Sequence, residues 1–243
     1  MRSLTDKVVV ITGVSRGIGA GIARLFASEK PKLVLCARNR KDLISIAKSI
    51  DLPRKDVLII AADVSRPMGM RKIVSVAFKK FGRVDVFVNN AGVVIHKTIN
   101  DFTEKDYDTT FNTNLKSVFY CFKFLLPLYE TQGGGQIINI SSMAGRQGVP
   151  GLAAYSASKA ALNVLSEAVA GEVRNKNIKI SVLAPGSTDT ALLNKMTKGP
   201  DSPSRAAQKL TVDEVAEAVL FLAKQNANAW TSMADIRPLL VKK

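Results

Sequence analysis

Along most of the chain, short apolar runs alternate with longer amphipathic ones. The runs at 7–11 (KVVVI), 32–37 (KLVLCA), 57–62 (VLIIAA), 84–89 (VDVFVN), 136–141 (QIINIS) and 178–184 (IKISVLA) are rich in Val and Ile. They are continuous rather than alternating, which predicts strands covered on both faces. Helical spacing fills the segments near 17–29, 39–50, 67–80, 103–130 and 153–175. Thr103-x-x-Asp106 and Thr211-x-x-Glu214 have the form of capping boxes that open helices. Pro127 is expected to kink or end the helix that begins at 103.

Strand, helix, strand repeated in this way predicts a parallel sheet with helices on both sides, and right-handed crossovers make it doubly wound. The expected class is α/β: one Rossmann-type domain over 1–243, with a parallel sheet of about seven strands. A last run at 234–241 (ADIRPLLV) reads as an edge strand, because Pro238 is tolerated only at an edge. The segment 190–210 mixes Leu192, Leu193 and Met196 with Gly199, Pro200 and Pro203. It reads as a flap covering substrate, with an ordinary surface excursion as the alternative.

Composition narrows the classes. The chain has 243 residues, 47% hydrophobic and 23% charged, which are ordinary globular values. Two cysteines exclude a disulfide-rich scaffold and a four-cysteine zinc site, and one histidine excludes any site needing two, so no metal is expected. The net charge of +15 favours anionic ligands. The bases are scattered, however, from Arg38–Lys41 through Lys79 and Lys80 to Lys242 and Lys243, and aromatics make up only 6%. That pattern is a solvated surface rather than a nucleic-acid patch, so no nucleic-acid partner is expected. No apolar run approaches the ~18–20 residues of a membrane span, and the N-terminus lacks the layout of a signal peptide. The expected location is cytoplasmic, with no membrane partner.

The first strand runs into Thr12-Gly13-Val14-Ser15-Arg16-Gly17-Ile18-Gly19, and a helix follows. Glycines 13, 17 and 19 permit a sharp turn and a close ligand approach, and the helix start offers free N–H groups to a pyrophosphate. An acid at the tip of the second strand would bind the ribose hydroxyls of NAD. Here the tip reads Cys36-Ala37-Arg38-Asn39-Arg40. The fork of Arg38, with Arg16 from the turn, suits the 2′-phosphate of NADP(H) instead.

Tyr155 and Lys159 are four apart in a helical segment and share one face. A nearby ammonium is expected to lower the phenol pKa towards use as a general acid or base. Ser142 ends the fifth strand, 13 residues before Tyr155. Strand carboxyl ends face the ligand crevice in such sheets, so its hydroxyl is placed to hold a substrate oxygen.

From about residue 5 to about 224, the chain resembles the short-chain dehydrogenases/reductases. The turn 12–19 is similar to that family's cofactor motif, and Asp63-Val64 to the pair beside the adenine. Asn89-Asn90-Ala91-Gly92 is similar to the stretch that follows the fourth strand and lines the cofactor. Asn114 matches the helix asparagine completing a tetrad with Ser142, Tyr155 and Lys159. Pro185-Gly186, with Thr188 and Thr190, resembles the loop at the nicotinamide end.

The resemblance implies an oxidoreductase moving a hydride between NADP(H) and a carbonyl or secondary alcohol. In the reducing direction, Tyr155 would protonate the developing alkoxide and Ser142 would hydrogen-bond it. Lys159 would assist Tyr155 and bind the ribose, and Asn114 would position a water. The substrate would be a small ketone or aldehyde, of 3-oxoacyl type or another. The family also implies a homodimer or homotetramer, with the helices at 103–130 and 153–175 as candidate surfaces. The region Ser232 to Leu240 lacks the Val-Asp-Gly-Gly of the acyl-carrier-protein reductase branch. That departure weakens the transfer of carrier-bound substrates and of that branch's tetramer contacts. A non-catalytic NADP(H) sensor on the same fold is the alternative.

The remaining residues have plainer readings. His96 is expected to be a loop residue without a part in the chemistry, and Cys36 and Cys121 to be inert core groups. The stripe Leu115, Val118, Phe119, Phe122 reads as a core face, and Met143, Gly148, Val149 and Leu152 as pocket walls near Ser142.

Overall fold

A computed structural model describes residues 1–191 and 208–239. In chain order the elements are β1 (Val8–Thr12), α1 (Gly17–Ala27), β2 (Lys32–Ala37), α2 (Arg40–Lys48), β3 (Val57–Ala61), α3 (Pro67–Phe81) and β4 (Val86–Asn89). There follow α4 (Glu104–Phe111), α5 (Ser117–Gln132), β5 (Gly135–Ile140), α6 (Ala153–Val173), β6 (Ile178–Pro185), α7 (Val212–Ala223) and β7 (Met233–Ile236). The strands form one sheet in the order β3-β2-β1-β4-β5-β6-β7, parallel throughout. The expected α/β doubly wound architecture is the one observed.

The continuous apolar strands have a direct cause. Successive strand residues face opposite sides, and both sides are covered. Val8 and Val10 join one core cluster with Met70 and Ile73 of α3, Leu125 and Tyr129 of α5, and Leu162 of α6. Val9 and Ile11 join the other, with Ile22 and Phe26 of α1, Leu43 of α2, and Val215 and Val219 of α7. Chain order reverses about β1, which has β2 on one side and β4 on the other. A crevice therefore opens beyond the carboxyl ends of β1 and β4.

Four details depart from expectation. The helix expected over 103–130 is two helices joined by a π turn at Asn112–Lys116. Pro127 does not end α5, which continues to Gln132. Pro127 and Lys123 are both exposed, so solvent reaches the Lys123 carbonyl that the proline leaves without a donor. The last strand is the expected edge strand, paired to β6 only, but it ends at Ile236, and Pro238 lies beyond it. Phe119, placed on the core stripe, is 46% exposed.

Both capping boxes close. Thr103 Oγ1 accepts from Asp106 N, and Thr211 Oγ1 from Glu214 N. The expected flap falls largely on 192–207, outside the described residues. On either side of it, Asp189 N donates to Leu210 O and Leu210 N to Ser187 O, each at 2.8 Å. No described helix is long and apolar enough to cross a membrane.

Candidate active site

The turn after β1 is built for close contact. A Cβ on Gly13 would fall 2.8 Å from the Ala91 Cα, and one on Gly19 would fall 2.4 Å from both Asn90 Nδ2 and the Gly13 oxygen. Gly13 and Gly17 also hold positive φ, 72° and 57°, which favours glycine. Asn90 fastens the turn to β4, donating to the Thr12 oxygen at 2.9 Å and the Gly13 oxygen at 3.2 Å. Thr12 Oγ1 receives the N–H groups of Asn90 and Ala91 and donates to Val88 O. At the start of α1 no side chain caps the helix and the first turn holds no acid. Free N–H groups and a positive dipole end therefore face the cleft, a cradle suited to a pyrophosphate.

At the other end of this cleft stand Arg38, Ala62, Asp63 and Val64. Arg16 and Arg38 are both exposed. Asp63 accepts from the Ser65 N–H and hydroxyl at 3.0 and 2.7 Å, which fixes the loop after β3. A shallower hollow adjoins this end, shared by Arg38 and Asp63 with Glu104, Lys105 and Asp108 of α4.

Tyr155 stands on the first turn of α6, half-buried and lining the cleft. Lys159, one turn on, is 5% exposed. Its Nζ lies 5.9 Å from the Tyr155 ring centre and donates to the Ile140 oxygen at 2.8 Å. Burial pushes the ammonium down to about 8. The expectation for Tyr155 is reversed: burial raises the phenol above its ordinary value, opposed by hydrogen bonding to Ser142. Desolvation, which spacing alone does not report, outweighs the hydrogen bond that favours the phenolate.

Ser142 has extended backbone (φ −164°, ψ 153°), and its Oγ accepts from Ala144 N at 3.1 Å. Asn114, 1% exposed, sits within the π turn. It accepts from Val93 N at 2.8 Å and donates to Val93 O at 2.9 Å and Ser158 Oγ at 3.1 Å. Ser158 Oγ in turn donates to the Tyr155 carbonyl at 2.7 Å.

The cleft brings together Gly13, Ser15, Arg16, Gly17, Ile18, Gly19, Arg38, Asp63, Val64, Asn90, Ala91, Gly92, Tyr155, Lys159 and Thr190. Asn114 lies just behind Gly92, and Ser142 follows Ser141, which lines the wall. Pro185, Gly186 and Thr188 are not on that wall. Gly186 N donates to Ile236 O at 2.8 Å, and Thr188 Oγ1 to Gly186 O at 3.0 Å. These three shape the loop that delivers Thr190 instead.

Sequence reasoning missed Cys36, Ala37, Ala62, Thr113 and Ile140 on the wall. Thr113 lies in the π turn; for the other four the signal was position, at or just beyond strand ends, rather than residue type. Burial raises both thiols, Cys121 to about 12. His96 is exposed, with its ring against Gly151, and Lys97 N donates to Gly151 O at 3.0 Å. The loops after β4 and β5 thus meet at the mouth.

A family model described as short chain dehydrogenase matches residues 7–201. An uncharacterized oxidoreductase of Staphylococcus aureus is 31% identical over 239 residues, which are 98% of this chain and all of that protein. Among solved structures, a metagenomic short-chain oxidoreductase in complex with NADP superposes with a TM-score of 0.81 at 32% identity, covering 98% of this chain and 100% of that one. The 3-ketoacyl-(acyl-carrier-protein) reductase from Brucella melitensis, complexed with NADH, gives 0.87 at 31% identity over 97% and 98%.

Proposed function

The chain belongs to the short-chain dehydrogenase family of oxidoreductases, and from that membership we propose that it is an NADPH-dependent reductase of ketones or aldehydes. The observation that carries the reading is Tyr155. Its side chain lines the same cleft as the uncapped start of α1, with Lys159 Nζ 5.9 Å from its ring.

The glycine turn and the free N–H groups of α1 would hold the pyrophosphate, and Asp63, Val64 and Ala91 the adenosine. Arg38 and Arg16 would meet a 2′-phosphate, with no acid at the β2 tip to repel it. The NADP-bound neighbour supports that choice, and the NADH-bound one makes it the point to test.

When bound, the nicotinamide supplies a hydride to the substrate carbonyl carbon. Tyr155 gives its phenolic proton to the carbonyl oxygen as charge develops there. A phenol raised by burial stays protonated at neutral pH, ready as an acid. Ser142 Oγ accepts from Ala144 N, which leaves its O–H available to donate to the same oxygen. Lys159 uses one of its three donors on Ile140 O, leaving two for the forming phenolate and the ribose hydroxyls. Asn114 has both ends of its amide engaged, so it fixes Val93 and the start of α6. A water held there would have to use its main chain.

The substrate would enter between the loops at 93–97 and 143–152. A small ketone fits this reading, of 3-oxoacyl type or another, and the ketoacyl reductase neighbour keeps the first in play. Phe119 of α5 and Val164 of α6, 46% and 67% exposed, support self-association through these helices. Light scattering would test that. The function itself is tested by mixing the protein with NADPH and a panel of cyclic diketones, aryl ketones, aldehydes and 3-oxoacyl thioesters. Consumption of NADPH with at least one is expected. Tight NADPH binding without turnover on any would favour a sensor.

A further inference from the structure

The stripe that carries Tyr155 and Lys159 continues one turn further to Asn163, which is 6% exposed. Asn163 Nδ2 donates to the Gly145 oxygen at 3.2 Å. Its Oδ1 accepts from Ser141 Oγ at 2.6 Å. A carbonyl can only accept, so the Gly145 contact fixes which way the amide faces, and the Ser141 hydroxyl must then donate. Asn163 therefore grips the segment on both sides of Ser142: the residue before it, and the end of the turn after it.

The turn has little slack. Gly145 N closes onto Ser142 O at 2.9 Å. A Cβ on Gly145 would fall 2.8 Å from the Lys159 carbonyl carbon and 3.0 Å from Ala160 N, so the turn rests on the α6 backbone. The Ser142 hydroxyl is consequently held relative to the helix that carries Tyr155.

We propose that Asn163, with Ser141, is a positioning residue that sets Ser142 against Tyr155 for proton transfer. This rests on the reductase reading for its consequence, but the clamp itself does not. Loss of the grip would let Ser142 drift, weakening its bond to the carbonyl oxygen and to the Tyr155 phenolate. The catalytic step then slows while the glycine turn after β1 and the Arg38 end of the cleft, on other strands, are untouched. Buried networks of this kind couple strongly when one member is removed.

Three variants separate the outcomes. Asn163→Ala removes both bonds. Asn163→Asp keeps the acceptor for Ser141 but sets an oxygen against the Gly145 carbonyl. Ser141→Ala is the mildest, and serves if the others fail to fold. Amide hydrogen exchange reads the clamp without any substrate. The N–H groups of Ala144 and Gly145 should exchange at least tenfold faster, with α6 and β5 unchanged. Unchanged exchange overturns the clamp.

Kinetics read the consequence. kcat should fall about 10- to 100-fold, with NADPH dissociation constants within twofold of the parent, as expected for loss of a buried hydrogen bond in the chemical step. In the alcohol-oxidising direction, the rising limb of kcat/KM against pH should move to higher pH, because Ser142 no longer favours the phenolate. Faster exchange with unaltered kcat and pH limb overturns the positioning role. A parent protein inactive on every carbonyl overturns the functional reading, while the exchange result still judges the clamp.

Discussion

The Lys159 ammonium donates to the carbonyl oxygen of Ile140 at 2.8 Å, tying the cationic turn of α6 to the end of β5. The bond fixes where the charge sits beside Tyr155. It also keeps a cation in a place that disfavours it, and burial brings its pKa down to about 8.

That value sets a pH window. Below about 8 the amine is charged and can stabilise the forming phenolate. Reduction by NADPH should therefore hold level below that point and decline above it, in a kcat profile under saturating substrate. Stability moves the other way. The unfolded lysine keeps its proton up to its ordinary value of 10.5, so the folded state binds fewer protons between about 8 and 10.5. The penalty for burying the charge fades across that window. The melting temperature of the parent, relative to Lys159→Met, should rise from pH 7 to pH 10, which parallel thermal scans would check.

Cofactor choice turns on one side chain. Replacing Arg38 by Asp puts a carboxylate where a 2′-phosphate would sit. Charge-assisted hydrogen bonds contribute roughly 1.5–3 kcal/mol, so NADPH affinity should fall about 10- to 100-fold or more. NADH affinity should change less than threefold. Titration calorimetry with both cofactors reads this directly, and equal affinities in the parent would contradict the role given to Arg38.

Gly19 has no space for a side chain. Gly19→Ala would put a methyl 2.4 Å from Asn90 Nδ2 and from the Gly13 oxygen. The turn must open, at a cost of roughly 1–3 kcal/mol in stability. Because the same turn forms the pyrophosphate cradle, NADPH binding should weaken at least tenfold. Chemical denaturation and a binding titration check the two effects together.

The mouth loop is anchored by a charged pair. Lys97 Nζ meets Asp106 Oδ2 at 2.6 Å, and the Thr103 N–H and hydroxyl donate to the same oxygen. These bonds hold the Asp106 carboxyl down at about 2 against an ordinary 3.8. The folded value is the lower one, so this stabilisation is complete above about 4 and is lost as the pH falls through 2. Asp106→Asn should be less stable than the parent above about pH 4, and the stabilities of the two proteins, read by denaturant unfolding at each pH, should converge as the pH falls towards 2.

Much of the fold was legible because burial on both faces leaves an unmistakable run of β-branched residues, as in Val8 to Ile11. The glycine turn was legible for a similar reason: only glycine fits where Gly13 and Gly19 approach Asn90 and Ala91. The π turn at Asn112–Lys116 was not. Inserting a residue into a helix changes the hydrogen-bond ladder without changing residue type, and apolar spacing ran through it unbroken. Asn163 was equally hidden, since an asparagine inside a helix is ordinary until its two partners on another element are seen. The phenol of Tyr155 was misjudged because spacing reports which groups are neighbours, whereas desolvation depends on everything around them.

The most direct measurement compares Tyr155→Phe with the parent in NADPH-driven reduction of a ketone that the parent accepts, alongside NADPH binding to both. Removing a positioned general acid typically costs 10²- to 10⁴-fold, so kcat should drop by about that factor with cofactor affinity unchanged. Turnover within a few-fold of the parent would contradict Tyr155 as the proton donor.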